Sequence, residues 1–155
     1  MLEAAKLKEF TFEKKLEGFA IKEPVFSFDK FPGVSRELGP LPTIVADREQ
    51  IQSVVTNLVL NAREALASGG VIQVRTENRG DRVVLSVTDN GCGMTPAFLK
   101  ESLFRPFQST KKKGLGIGLF QSRAIVQAHG GAIHVQTEVG RGTTFLISLP
   151  VATEK

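Results

Sequence analysis

Three short stretches of the 155-residue chain carry residue types spaced as a phosphate or purine ligand would need them. Asn57 and Asn61 lie four residues apart, one turn in a helix. An amide oxygen is a fair ligand for Mg²⁺, which prefers hard oxygen donors and shares its shell with phosphates and water. Two asparagines inside a helix otherwise cost propensity. In Asp89-Asn90-Gly91-Cys92-Gly93-Met94, a carboxylate is followed by two glycines within four residues. A carboxylate is the acceptor that a purine amino group needs, and glycines let a ligand lie against the backbone. Gly114-Leu115-Gly116-Ile117-Gly118-Leu119 has glycine at every second position immediately before a helix. Such a run exposes consecutive N–H groups at the positive end of the helix, which suits a phosphate. Each stretch alone has a plainer reading: a solvated polar pair, a strand-ending turn, a flexible linker. Two other phosphate binders are excluded. The third glycine comes one residue early for the dinucleotide fingerprint and a lysine-rich loop precedes it, and no G-x-x-x-x-G-K-[ST] run occurs.

The surrounding pattern predicts elements that would position these residues. Asp47 opens a helix as N-cap, with Glu49 and Gln50 in the first turn. Ile51, Val54, Val55, Leu58, Val59, Ala62, Ala65 and Leu66 form its apolar stripe, which ends at Ser68-Gly69-Gly70. Asn57, Asn61 and Glu64 fall together on a flank of that stripe, at the rim of the core. Val71 to Thr76 and Arg82 to Thr88 alternate with period two and predict an antiparallel hairpin turning at Asn78-Arg79-Gly80-Asp81. Thr95 to Leu103 is a short amphipathic stretch leading to Phe104-Arg105-Pro106-Phe107 and the basic run Gln108 to Gly118. A second helix is expected from about Leu119 to Ala128, and a closing hairpin from Ala132 to Glu138 and Thr143 to Leu149. From Pro24 to Pro42 the prolines and glycines allow short strands, such as Val25 to Phe28 and Thr43 to Ala46 just after them, but no long helix. Residues 2 to 17 alternate acids and bases around Leu2, Leu7, Phe10 and Leu16; this reads as a short helix or a linker remnant over 1–18, ahead of a single domain over 19–155.

Composition narrows the function class. With 41% hydrophobic and 23% charged residues, the chain can bury a core and is not disordered throughout. A single cysteine, Cys92, rules out an intramolecular disulfide and any multi-cysteine zinc site, and suits a reducing compartment. No apolar run approaches the roughly 18 to 20 residues of a membrane span, and MLEAAKLKEF mixes Glu and Lys where a signal peptide would be apolar. A cytoplasmic segment without direct membrane contact is expected. All eleven aromatic residues are Phe, so base stacking is not obviously provided for, and neither a basic face nor a reader motif supports a nucleic-acid role despite a pI of about 9.4.

Taken together and in order, the motifs carry a resemblance. Asn57-Leu58-Val59-Leu60-Asn61-Ala62, Asp89-x-Gly91-x-Gly93, Phe104-x-Pro106-Phe107, Gly114-x-Gly116-x-Gly118-Leu119 and Gly140-x-Gly142-Thr143-x-Phe145 resemble the N, G1, F, G2 and G3 boxes of sensor histidine kinase ATP-binding domains. These belong to the GHKL superfamily, shared more loosely with the heat-shock chaperone, type II topoisomerase and mismatch-repair ATPases. The similarity covers about Val45 to Pro150. It implies an α+β protein built as a two-layer α/β sandwich of the Bergerat type, a mixed, mostly antiparallel sheet packed on about three helices. ATP and Mg²⁺ are the implied cofactors. By resemblance, Asp89 accepts the adenine amino group, with Thr143 nearby through water, and Gly91 and Gly93 let the base sit against the loop. Asn61 holds Mg²⁺ on the phosphates with Asn57 in support. Gly114, Gly116 and Gly118, with Leu119 beginning the helix, bend around the triphosphate. Ser109, Thr110 and Lys111 lie in a short ATP lid, Lys111 being the best candidate for a phosphate contact. The lid resembles the compact form of nitrogen-regulation-type kinases.

ATP-hydrolysing relatives place a glutamate general base one turn before the magnesium asparagine; here that position is Asn57, as expected of a kinase that protects ATP from water. Glu64 departs from those histidine kinases that carry a lysine or arginine there. Neither His129, before Gly130-Gly131, nor His134, before Val135, fits a phosphoacceptor histidine. A helix-end residue favourable to the dipole and a strand-facing side chain are the expected roles. The resemblance therefore implies a catalytic module that donates the γ-phosphoryl group to a histidine on a separate dimerisation domain of the same protein, with a response regulator receiver domain as further partner. Two other readings share the boxes: a free-standing serine/threonine kinase of the anti-sigma-factor class, and a nucleotide-gated binding module without phosphoryl transfer. The formal charge of +4 is concentrated between residues 100 and 113, where Lys100, Arg105, Lys111, Lys112 and Lys113 face only Glu101. That local excess suits a triphosphate or an acidic partner surface.

Overall fold

Among the described residues, seven strands and three helices run in the order β1 (Lys8–Thr11), β2 (Val34–Leu38), β3 (Thr43–Ala46), α1 (Arg48–Ala65), β4 (Ile72–Asn78), β5 (Arg82–Asp89), α2 (Pro96–Glu101), α3 (Gly118–Ala128), β6 (Ala132–Glu138) and β7 (Gly142–Pro150). They belong to a computed structural model that describes residues 8–11, 34–38, 43–66, 69–101, 103–104 and 118–151.

Helix α1 starts where the side chains at its N-terminus require it. Asp47 is extended, its carboxylate accepts the Gln50 N–H at 3.2 Å, and its carbonyl accepts the first helical bond, from Ile51. Ile51, Val54, Val55, Leu58, Val59 and Ala62 are all buried, whereas Ala65 and Leu66 are only half-buried as the helix ends. Each fully buried Val, Leu or Ile contributes about 1.5–3 kcal/mol relative to exposure. That stripe packs on the sheet, so the flank bearing Asn57 and Asn61 lies half-buried at the edge of the core.

The main sheet has strand order β2-β4-β5-β7-β6; β2 runs parallel to β4 and the other pairs are antiparallel. Along β5, Val83, Leu85, Val87 and Asp89 are buried, and along β7, Thr143, Phe145, Ile147 and Leu149. This alternation puts one sheet face against the helices and ends, at the rim, in a polar pair. The hairpin turns are closed by Arg79 N–H to Arg82 O at 2.9 Å and Arg141 N–H to Glu138 O at 3.0 Å. The expected α+β sandwich is the fold observed, and both predicted hairpins and both main helices lie within a few residues of their expected bounds.

Three features differ from expectation. The segment read as a short helix or a linker remnant contains strand β1, which pairs antiparallel with β3. Around it Phe10 and Phe12 alternate with Glu9, Thr11 and Glu13, and distant strand pairing prevails over the local mix of charges. Strand β2 carries no strand signal in the sequence because its centre, Ser35 to Glu37, is exposed and polar; parallel pairing with β4 forms it. The suggested strand Val25 to Phe28 lies outside the described residues. His129 does not serve the helix dipole as a charged end group. It is buried, its Nδ1 donates to Ile125 O at 2.8 Å, and its Nε2 accepts the Asp47 N–H at 3.0 Å. Only an unprotonated nitrogen can accept that bond. His134, on β6, is exposed.

Candidate functional site

Helices α1 and α3 pack side by side and antiparallel: Asp47 of the α1 cap meets His129 at the far end of α3, and Asn57 meets its first turns. The Asn57 amide nitrogen donates to Ser122 Oγ at 3.3 Å, and Ser122 is fully buried. A Cβ on Gly118 would lie 3.6 Å from Asn57 Cγ, so the end of the glycine run abuts Asn57. Leu119, next in line, is half-buried and packs against the core, fixing where α3 begins.

At its other end α1 touches the loop after β5. Cys92 N–H donates to Ala65 O at 3.1 Å. The α1 rise from Asn57 to Ala65 is about 12 Å, and Asn61 stands midway, half-buried, between the loop after β5 and the start of α3.

Asp89 is 5% exposed, and its carboxylate accepts the Gly91 N–H at 2.8 Å, a side-chain-to-backbone turn that fixes the loop's direction as it leaves the sheet. Thr143 sits directly opposite Asp89 in the β5–β7 register and is 6% exposed. Thr137 sits opposite Thr143 in the β6–β7 register, and their hydroxyl oxygens are 2.8 Å apart. Asp89, Thr143 and Thr137 thus form a polar row across three strands at the rim of the core.

Gly91 and Gly93 are needed for a reason other than ligand approach. A Cβ at Gly91 would stand 2.3 Å from Ala65 O, and one at Gly93, where φ is +70°, would stand 2.1 Å from Glu138 O. Both contacts are impossible, so these glycines first of all let the loop close onto α1 and onto the end of β6. Gly140 N–H completes that closure by donating to Cys92 O at 2.8 Å. The G1 and G3 boxes are therefore joined through backbone.

The described residues bring together Asn57, Asn61, Asp89, Gly91, Gly93, Gly118, Leu119 and Thr143. Thr110, Lys111, Gly114 and Gly116 lie outside the described residues, as do Pro106, Phe107 and Ser109. Phe104, the start of the F box, is half-buried against the core, with the Arg123 guanidinium 5.1 Å from its ring centroid. Sequence reasoning missed Ser122 and Thr137. Thr137 was discoverable, because folding the hairpin symmetrically about Val139 to Gly142 puts it across from Thr143; Ser122 left no local signal.

The donor set bears on a metal. Among the described residues no group of three His, Cys, Asp or Glu could hold an ion. The amide oxygens on α1 suit Mg²⁺ that takes the rest of its shell from phosphates and water, as that ion prefers.

Comparison with known proteins agrees with this geometry. Residues 46–153 match the family model described as histidine kinase-, DNA gyrase B- and HSP90-like ATPase. The sensor histidine kinase ZraS of Escherichia coli K12 is 42% identical over 111 residues, covering 72% of this chain and 24% of ZraS. The C4-dicarboxylate transport sensor protein DctS of Rhodobacter capsulatus is 37% identical over 142 residues, 89% of this chain and 22% of DctS. The chain thus spans about a quarter of the length of these curated relatives. Among solved structures, the catalytic domain of histidine kinase ThkA superposes with a TM-score of 0.74 at 30% identity, covering 93% of this chain and 95% of that one. Full-length ShkA, solved with AMPPNP, gives 0.78 at 29% identity, covering 99% of this chain and 32% of that one. With box motifs, sheet register and family match all converging on one rim of one sandwich, the chain belongs to the histidine kinase-, DNA gyrase B- and HSP90-like ATPase family.

Proposed function

We propose that the chain is the ATP-binding catalytic module of a two-component sensor histidine kinase, acting in the cytoplasm. It donates the γ-phosphoryl group of ATP to a histidine on a separate dimerisation domain, and that phosphohistidine then serves a response regulator receiver domain. The observation that carries the reading is Asn57. It occupies the position where hydrolysing relatives place a glutamate base, its amide is bonded to the buried Ser122, and an amide has no basic oxygen with which to take a proton from water. The similarity to ZraS and DctS, both named as sensors, and to a ThkA structure solved in complex with the response regulator TrrA supports a kinase over the two other readings.

In this reading Asp89 and Thr143 receive the adenine edge, while Gly114, Gly116, Gly118, Thr110 and Lys111 surround the triphosphate. Asn61, supported by Asn57, would hold Mg²⁺, whose chemistry is to offset phosphate charge. The protein's part is positioning and water exclusion, as in other phosphoryl transfers. The test is incubation of the purified chain and γ-labelled ATP with an acceptor-domain fragment from a relative such as ZraS. Acid-labile, base-stable label on the fragment, with little hydrolysis in its absence, is the expected result. Label on serine, or rapid hydrolysis without acceptor that Asn61→Ala abolishes, overturns it.

A further inference from the structure

We infer that Ser122 is a positioning residue for the phosphate end of the site: it holds the Asn57 amide by its nitrogen and so leaves the oxygen for the ligand, which ties Asn57 to the metal and not to the phosphates. The inference rests on the nucleotide reading above and adds a residue that lies outside every box motif. Ser122 is fully buried and, with Val126, forms the inward face of α3. Its Oγ accepts from Asn57 Nδ2 at 3.3 Å, and among the described residues this is the one hydrogen bond made by the Asn57 side chain. Packing from the glycine run does not replace that bond. A Cβ built on Gly118 would stand 3.6 Å from Asn57 Cγ, 3.7 Å from Oδ1 and 3.8 Å from Nδ2. Near-equal distances to the three atoms put Gly118 over the flat face of the amide, with room to spare where the Cβ is missing. The terminal torsion of an asparagine is soft. The hydrogen bond therefore sets its angle.

The consequence falls on the half-buried side of Asn57. A carboxamide carries its donor at one end and its acceptor at the other. With the nitrogen held in the interior, the oxygen is the end that meets a ligand. An amide oxygen suits Mg²⁺ and the waters in its shell. Toward phosphate oxygens it brings only lone pairs, so Asn57 strengthens binding when the metal is present and adds nothing without it. Holding the rotor in place beforehand also spares the cost of ordering it on binding. Removing the Ser122 hydroxyl leaves Nδ2 facing an interior closed to water, and the amide turns to hydrate that nitrogen. The metal then loses its acceptor. A hydroxyl can bond either end of an amide, and the two ends respond oppositely to the metal: an inward oxygen would aim N–H donors at the phosphates whether Mg²⁺ is there or not.

The experiment is titration of the 155-residue chain with ATP, once in excess Mg²⁺ and once in EDTA, followed by backbone amide NMR shifts, which read millimolar as well as tighter binding. Ser122→Ala should weaken binding in Mg²⁺ by roughly three- to tenfold, the worth of one hydrogen bond, and leave binding in EDTA unchanged or slightly tighter. In an Asn57→Ala background, Ser122→Ala should leave the ratio of the two affinities where it was, because the hydroxyl then has no amide to hold. A merely structural role weakens both conditions alike. Loss in equal proportion with and without Mg²⁺, or the same change of ratio with Asn57 already replaced, overturns the inference while leaving the nucleotide site intact. Should Ser122→Ala not fold, Asn57→Ala alone decides: it is expected to weaken binding only in Mg²⁺, and equal weakening in EDTA shows that the nitrogen meets the phosphates and overturns the inference. No ATP binding by the unaltered chain in either condition overturns the proposed function itself.

Discussion

Asp89 has two tasks that a single substitution can separate. Its Oδ1 holds the Gly91 N–H, a bond that organises the loop, while its acceptor-only carboxylate is proposed to meet the nucleobase. Asp89→Asn keeps an acceptor for Gly91 but turns the other half of the group into a donor. The expected outcome is a thermal midpoint within a few degrees of the original and a loss of ATP affinity of roughly 10- to 100-fold, since a mispaired buried polar contact costs about 1–3 kcal/mol. Calorimetric titration beside a melting curve checks both halves; equal loss of fold and affinity would show that the turn alone matters. The chemistry at this scale was legible in the sequence because Asp89, Asn57, Asn61 and Thr143 sit in short motifs. Ser122 was not, because its partner Asn57 is 65 residues away, and no local pattern reports a contact at that separation.

Helices α1 and α3 are tied near both ends of their shared interface. Asn57–Ser122 ties them beside the proposed phosphate loop, and His129–Asp47 ties them at the opposite end, 82 residues apart in sequence. The second tie explains why a buried imidazole closes α3: it satisfies one N–H at the start of α1 while its other nitrogen bonds its own helix. His129→Ala would leave the buried Asp47 N–H without its acceptor and open a small void. It should lower unfolding stability by about 1–3 kcal/mol, read as a lower urea midpoint at unchanged slope. An unchanged midpoint would mean that water replaces the imidazole without cost. The helices themselves were readable from spacing, caps and glycine stops. The pairing of β1 with β3 and of β2 with β4 was not, since a four- or five-residue strand with a polar centre acquires its conformation from its neighbour.

For the whole molecule, the question is where the charge surplus lies relative to the site. Phe104, packed on the core, and Gly118, beside Asn57 at the proposed triphosphate position, flank the cation-rich stretch in sequence. Replacing Lys111, Lys112 and Lys113 together by Gln should weaken ATP binding several-fold at low ionic strength. The difference from the unaltered chain should vanish toward 1 M salt, where the screening length falls to about 3 Å. Affinities that stay parallel across a salt titration would remove these lysines from nucleotide binding. By itself the sequence determined the family, the helix and hairpin framework and the residue types at the site, because periodicity, caps and box motifs are local properties of the chain. Only the tertiary structure decided that Gly91 and Gly93 serve backbone closure and that His129 is a structural acceptor. Each of those depends on two segments far apart in sequence meeting within a hydrogen-bond length, and that meeting is set by strand register and helix packing.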